Sequence, residues 1–136
     1  MRRRLFFGLC ACVAAFGAAA CGSPDYGQTG PSGTYTESFV GTVNPGGGTT
    51  HQFSSVGAGK ITATLTAVGD DNTRVVGLSL GNWTGTACNI SVAADTAFKS
   101  FPLVATVSAG GSLCARVYDS KGLPDATTYS LEVIHP

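Results

Sequence analysis

The sequence predicts an all-β domain: an antiparallel, jelly-roll-like β-sandwich of about eight short strands, preceded by a signal peptide and a flexible tether. Three observations point there. From about residue 35 onward, short stretches of Val, Ile, Thr, Leu and aromatic residues alternate with turns built on Gly, Asn, Asp or Pro. The clearest stretch, Lys60–Val68, puts Ile61, Ala63, Leu65 and Ala67 on one face and Thr62, Thr64 and Thr66 on the other, the period of two of a half-buried strand. No stretch past residue 35 keeps a 3.6-residue apolar period over ten or more residues. Many short strands with frequent turns in one small domain are the pattern of a sandwich.

The strands follow in order. The first, 36–43, ends at the turn Asn44-Pro45-Gly46-Gly47-Gly48, and the second, 49–55, ends at Gly57-Ala58-Gly59. The third, 60–67, is the alternating Thr strand and is closed by Gly69-Asp70-Asp71-Asn72. The fourth, 74–80, places Val76, Leu78 and Leu80 on one side and stops at Gly81-Asn82. The fifth spans 87–92, and a short helical turn is the expectation around Ala93–Lys99. The sixth, 102–107, turns at Ala109-Gly110-Gly111, the seventh, 112–118, at Ser120-Lys121-Gly122, and the eighth, 127–134, alternates Tyr129, Leu131 and Val133 with Ser130 and Glu132.

Ahead of this domain the texture is different. Met1 and Arg2-Arg3-Arg4 precede sixteen uncharged, apolar residues, Leu5–Ala20, and then Cys21. A basic start, a short apolar core and small residues before a cut make an export signal, and the run is short of the ~20 residues a spanning helix needs. Ala18-Ala19-Ala20-Cys21-Gly22 resembles the lipobox of bacterial lipoproteins, although Ala18 stands where that family prefers Leu. The resemblance implies removal of 1–20 and diacylglycerol on the Cys21 sulfur. Cleavage after Ala18-Ala19-Ala20 without lipid, giving a secreted or periplasmic protein, is the alternative. Cys12 also sits in a lipobox-like run, but too early to leave an adequate apolar core. Two or three acyl chains hold a domain on a bilayer where one is marginal. Gly22 after the cysteine resembles lipoproteins sent to the outer membrane. Residues 21–34, rich in Gly, Ser, Thr and Pro, read as the lipidated cysteine and a flexible tether, and 35–136 as the sandwich domain.

Three of the eight basic residues leave with the signal and all eight acidic residues stay, so five basic face eight acidic and the mature chain carries −3. That balance offers no basic stripe and argues against nucleic acid as a partner. Of the five cysteines, Cys10 and Cys12 are lost with the signal and Cys21 is the lipid site. Cys88 and Cys114 remain, and an even pair in an exported chain reads as a disulfide contributing roughly 3–4 kcal/mol. A metal site is the alternative, but His51 and His135 are remote from both cysteines in sequence and no further ligands cluster. One conflict stands. Leu113, Ala115 and Val117 look inward, which turns Cys114 outward, yet Cys88 shares parity with Ile90 and Val92. Either the bridge ties a sheet rim or a bulge changes the facing.

Four segments carry a resemblance to bacterial pre-peptidase C-terminal-type domains: Phe39–Phe53 with its glycine turn and His51-Gln52-Phe53, Lys60–Thr66, Gly110–Asp119 with Val117-Tyr118-Asp119, and Thr128–Val133. It covers about residues 38–134. The resemblance implies a jelly-roll-like sandwich, found attached to secreted enzymes or alone in surface proteins, without catalysis, with polysaccharide or other polymers as proposed ligands. The Cys88/Cys114 pair and the Gly81–Gly85 segment are not features of that family.

Candidate chemistry is sparse. Gly77-Leu78-Ser79-Leu80-Gly81 matches Gly-x-Ser-x-Gly, but the serine alternates with leucines in a strand and no helix follows to form a nucleophile elbow. His51 and His135 have no spacing that pairs them with Asp70, Asp95, Asp119 or Asp125 and read as structural or solvated. Asp70-Asp71-Asn72 could offer oxygens to calcium, but turns favour these residues for their own backbone bonding. Trp83, the only tryptophan, reads as a cap over the open end of the sandwich near Cys88. With Asn82 it is also the candidate ligand-binding pair, a ring able to stack on a sugar or anchor a protein. Tyr118 and Tyr129 read as framework residues with a wet hydroxyl. The expectation is therefore a lipid-anchored, non-catalytic binding or structural module of the cell envelope, needing no cofactor and no metal. Its partners are the bilayer through acylated Cys21 and a polysaccharide or envelope protein. The alternative is a carbohydrate-binding accessory module using the Trp83 loop.

Overall fold

A computed structural model describes residues 33–136; the signal segment 1–20, Cys21 and residues 22–32 lie outside the described residues. Eight strands follow one another: β1 (Tyr35–Val43), β2 (Gly48–Ser55), β3 (Gly59–Val68), β4 (Val76–Trp83), β5 (Cys88–Ala97), β6 (Pro102–Val107), β7 (Gly111–Tyr118) and β8 (Thr127–His135). They form two four-stranded sheets ordered β1-β8-β3-β6 and β2-β7-β4-β5, with every neighbouring pair antiparallel. β1 lies with β8 and β3 with β6 in the first sheet, and β2 with β7 and β4 with β5 in the second. One long antiparallel ribbon has been folded over itself, which is the jelly-roll connection.

Alternation drives the packing. Ile61, Ala63 and Leu65 of β3 meet Leu78, Leu80 and Val117 of the facing sheet in one buried core, and Leu131 and Val133 of β8 join them. Their partners across the pleat, Thr62, Thr64 and Thr66, lie on the outside. The outer face of this sheet is ranked across strands as Thr36, Ile134, Thr62 and Val104 in one row and Ser38, Glu132, Thr64 and Pro102 in the next.

Three local expectations are corrected. The alternation of β3 does not run through Ala67, because the β3–β8 register shifts between Leu65 and Ala67. Thr66 is the extra residue, so Val68 rather than Ala67 turns into the core. The chain around Ala93–Lys99 is not helical: β5 continues to Ala97, whose fully buried side chain packs opposite Val76. Gly81-Asn82 is not a turn. β4 runs on to Trp83, and the reversal is made at Thr84–Ala87. There the Thr84 N–H donates to the Ala87 carbonyl (3.0 Å) and the Thr84 hydroxyl accepts from the Ala87 N–H (3.2 Å).

Candidate functional site

The edge strand of the second sheet leaves its plane, and this shapes the site. Leu80 pairs with Val92 but Gly81 pairs with Ile90, so Ser91 is an extra residue in β5. Such a bulge bends the strand and reverses the facing of what precedes it. Val92 and Ala94 follow Leu80 and Leu78 toward the core. Cys88 and Ile90 instead share the outer face with Gly81 and Trp83. Cys114 of β7 pairs with Gly81 and lies on that same outer face. The parity conflict in the sequence is therefore resolved by a bulge. Cys88 and Cys114 stand at disulfide distance, with Cα atoms 5.8 Å apart, although β4 separates their strands in the sheet. Two strand spacings would be about 9.6 Å, so the leading half of β5 has risen over the outer face of β4. Gly81 permits it: a Cβ there would collide with the Asn89 carbonyl oxygen. Cys114 is fully buried as a result.

On the flank beneath the lifted strand lies a cleft of about 330 Å³. Phe53, Ile61, Leu80 and Leu113 floor it, while Asn82, Ser91, Thr106 and Ser108 supply polar groups around it. Among the described residues no charged side chain lines it. An apolar floor with a few uncharged polar groups suits a small uncharged body and carries neither a base nor a nucleophile activated by one.

The strand period separates the two candidate ligand residues. Asn82 lines the cleft, whereas Trp83, half-buried and opposite Cys88 in the β4–β5 ladder, stands on the other side of the sheet. They do not form one surface.

Ser79 lies on the outer face of β4 yet has no solvent exposure, because the whole run Val76–Gly81 is covered on both sides. Its hydroxyl has no hydrogen-bond partner among the described residues, and both histidines are engaged elsewhere. A buried hydroxyl without a partner is costly. Ser79→Ala is expected to raise the unfolding free energy by about 1 kcal/mol. Urea denaturation would show this as a higher midpoint at unchanged slope; a lower midpoint would mean that the hydroxyl has a partner.

His51 bridges the sheets at their other flank. Its Nε2 and the Tyr129 hydroxyl share a 2.7 Å hydrogen bond, and its ring stacks on Phe39 at 4.7 Å. Burial pushes the His51 pKa below its ordinary value and the Tyr129 pKa above its own. The Tyr129 hydroxyl is thus buried rather than wet, and Gly41 makes room for it, since a Cβ at 41 would strike it. His135 is also buried, with Nε2 3.1 Å from a Glu37 carboxylate oxygen and Nδ1 3.0 Å from the Pro136 carbonyl. The Tyr118 hydroxyl donates to Asp95 (2.5 Å). Partial burial first, then that carboxylate, pushes its pKa up to about 12. In the acidic turn, Asp71 accepts from the Thr73 hydroxyl (2.8 Å) and N–H (3.1 Å), which holds its carboxyl below the usual range. Among the described residues no group of three or more His, Cys, Asp or Glu side chains is placed to hold a metal ion.

The two ends of the sandwich differ in kind. At the end where β1 begins, the connections 56–58, 84–87 and 108–110 are three or four residues long and contain no charge. At the opposite end the connections 44–47, 69–75, 98–101 and 119–126 carry Asp70, Asp71, Arg74, Lys99, Asp119, Lys121 and Asp125. These loops are tied together. The Asp119 carboxylate accepts N–H bonds from Gly46 (2.8 Å) and from Gly122 (2.7 Å) and Leu123 (2.9 Å) of its own loop, and Gly46 heads the causes that hold its carboxyl low. Arg74 and Asp125 form an ion pair at 3.1 Å. In the connection 98–101 at the same end, Phe98, 52% exposed, meets Phe101 edge to face. The result is a preorganised, mixed-charge surface with one presented aromatic ring.

No protein-family model matches this chain, and no curated protein matches it. Sequence reasoning missed both the cleft and the charged loop surface. The cleft was signalled by the Cys88 parity conflict beside Gly81. The loop surface was signalled by the placement of charge, which becomes visible only once connections are assigned to alternate ends.

Proposed function

We propose that the chain is a lipid-anchored, extracytoplasmic module of the cell envelope that binds or spaces rather than catalyses. The observation that carries this reading is the polarity of the sandwich. The chain leads into β1 at the end whose connections are short and uncharged, so an anchor at Cys21 leaves the long charged loops at the outward end, where a partner meets them. The Ser/Thr-rich outer face of the β1-β8-β3-β6 sheet supports a spacer or adhesive role along the flank. The test is fractionation of the native host. Wild-type protein is expected in the membrane fraction and Cys21→Ser in the soluble fraction; wild-type protein that is already soluble refutes the anchor.

The cleft favours a second reading, a carbohydrate-binding or other small-ligand accessory module with Asn82 rather than Trp83 as its polar contact. Retention of the chain on a glycan array that Asn82→Ala abolishes would place this reading first.

A further inference from the structure

We infer that the short-loop end of the sandwich is a membrane-docking surface that rests on the lipid bilayer, so that the domain stands upright on its anchor instead of swinging freely. The inference rests on the lipid-anchor reading of Cys21.

Four observations carry it. First, the described chain enters β1 at this end, and residues 22–32 that link Gly33 to Cys21 span at most about 40 Å when fully extended. Whatever path they take, this end is held near the lipid, at the millimolar effective concentration that short linkers confer. Second, none of the three connections here carries a charge, while every charged connection residue sits at the other end. Third, apolar groups are exposed here: Val56 is 50% exposed in the β2–β3 connection, Ile90 49% exposed at the lifted start of β5, and Tyr35, one face of which stacks on His135, 43% exposed at the start of β1. Fourth, half-buried Trp83 stands at the same end, and Trp and Tyr rings favour the membrane–water interface, where one part of the ring is apolar and the other wet.

The occupant is the bilayer rather than a protein groove because these groups come from three separate places, Tyr35 at the start of β1, Val56 in the β2–β3 connection and Ile90 with Trp83 at the β4–β5 reversal, on the end of the domain that the tether enters. A deformable interface can receive them one by one. Their combined apolar area is too small to hold an unanchored domain on a membrane. The anchor supplies proximity, and the loop tips need only bias orientation. With no basic cluster at this end, docking should depend little on salt or on anionic lipid.

Trp83 is the only tryptophan of the chain and reports directly. The acylated full-length protein is reconstituted into phosphatidylcholine vesicles with or without bromine atoms on the upper acyl chains. Expected are loss of Trp83 emission in the brominated vesicles and protection from aqueous iodide. Val56→Asp, an exposed loop-tip change, is expected to reverse both while leaving vesicle association and thermal midpoint unchanged. Protein that floats with the vesicles but shows no bromine quenching overturns the docking and leaves the anchor reading standing. Protein that does not float overturns the anchor reading and the docking with it. Quenching that survives Val56→Asp overturns the assignment of this end.

Discussion

Breaking the Cys88–Cys114 bridge is expected to lower the unfolding free energy by about 3.5 kcal/mol, the chain-entropy value for a closed loop of this length. The separation in sequence is 26 residues, and those residues contain all of β5 and β6 and the connections around them. Without the bridge, the unfolded chain regains the freedom of that loop. The folded chain also loses what holds the leading half of β5 above β4. That half, Cys88–Ile90, is mostly exposed, so it lacks burial to hold it there unaided. Reduction is therefore expected to act in two ways. Urea unfolding of the Cys88→Ala/Cys114→Ala chain shows a lower midpoint, and hydrogen exchange at 88–91 speeds up ahead of the rest of the sheet. The cleft should lose definition in the same variant at Ser91, the bulge residue that adjoins the lifted segment and lines the cleft. An unchanged midpoint would mean that the bridge is not formed in the native protein.

That device marks where the sequence is legible and where it is not. Period-two alternation located β3, β4 and β8, because a one-residue slip would expose a buried face, and β-type stretches between Gly, Asn, Asp and Pro turns located the other five. Neither signal could see Thr66 or Ser91. A bulge keeps the residue types of a strand and shifts only their phase, so Ala67 and Val68 exchange roles without any change in composition. Ala93–Lys99 reads as helix-tolerant because alanine is favourable in a helix, yet pairing with β4 decides it. Asn82 and Trp83 look like one loop until β4 is seen to extend through them, after which neighbours in sequence face opposite ways. Ser79 looks outward, and is, but β5 and Tyr118 roof that side of the sheet over Ser79's neighbours Gly81 and Gly77. The cysteines were the most informative residues, since their parity conflict already required either a rim or a bulge.

Gly81→Ala is expected to cost about 3 kcal/mol, at the upper end of overpacking effects, although a single methyl is added. The reason is what the methyl meets. At Gly81 it runs into the Asn89 carbonyl oxygen and the Ile90 Cα. Both are backbone atoms of a strand paired to β4 and bridged to β7, so neither can rotate aside. Two other glycines calibrate the effect. At Gly77 the methyl meets the Tyr118 ring, a side chain that can swing at the expense of its bond to Asp95, so a smaller loss is expected. At Gly57 none of the described residues lies within 4 Å of the methyl, and Gly57→Ala should be close to neutral. The three variants should rank in that order by urea midpoint. The more searching measurement combines Gly81→Ala with loss of the bridge. If β5 is held down on Gly81 by the disulfide, cutting the bridge lets the strand lift off the new methyl, and the two changes together cost less than the sum of each alone. Strict additivity would mean that β5 covers Gly81 by its own pairing, with the bridge a bystander, and a Gly81→Ala chain as stable as Gly57→Ala would remove the close approach on which the shape of the cleft depends.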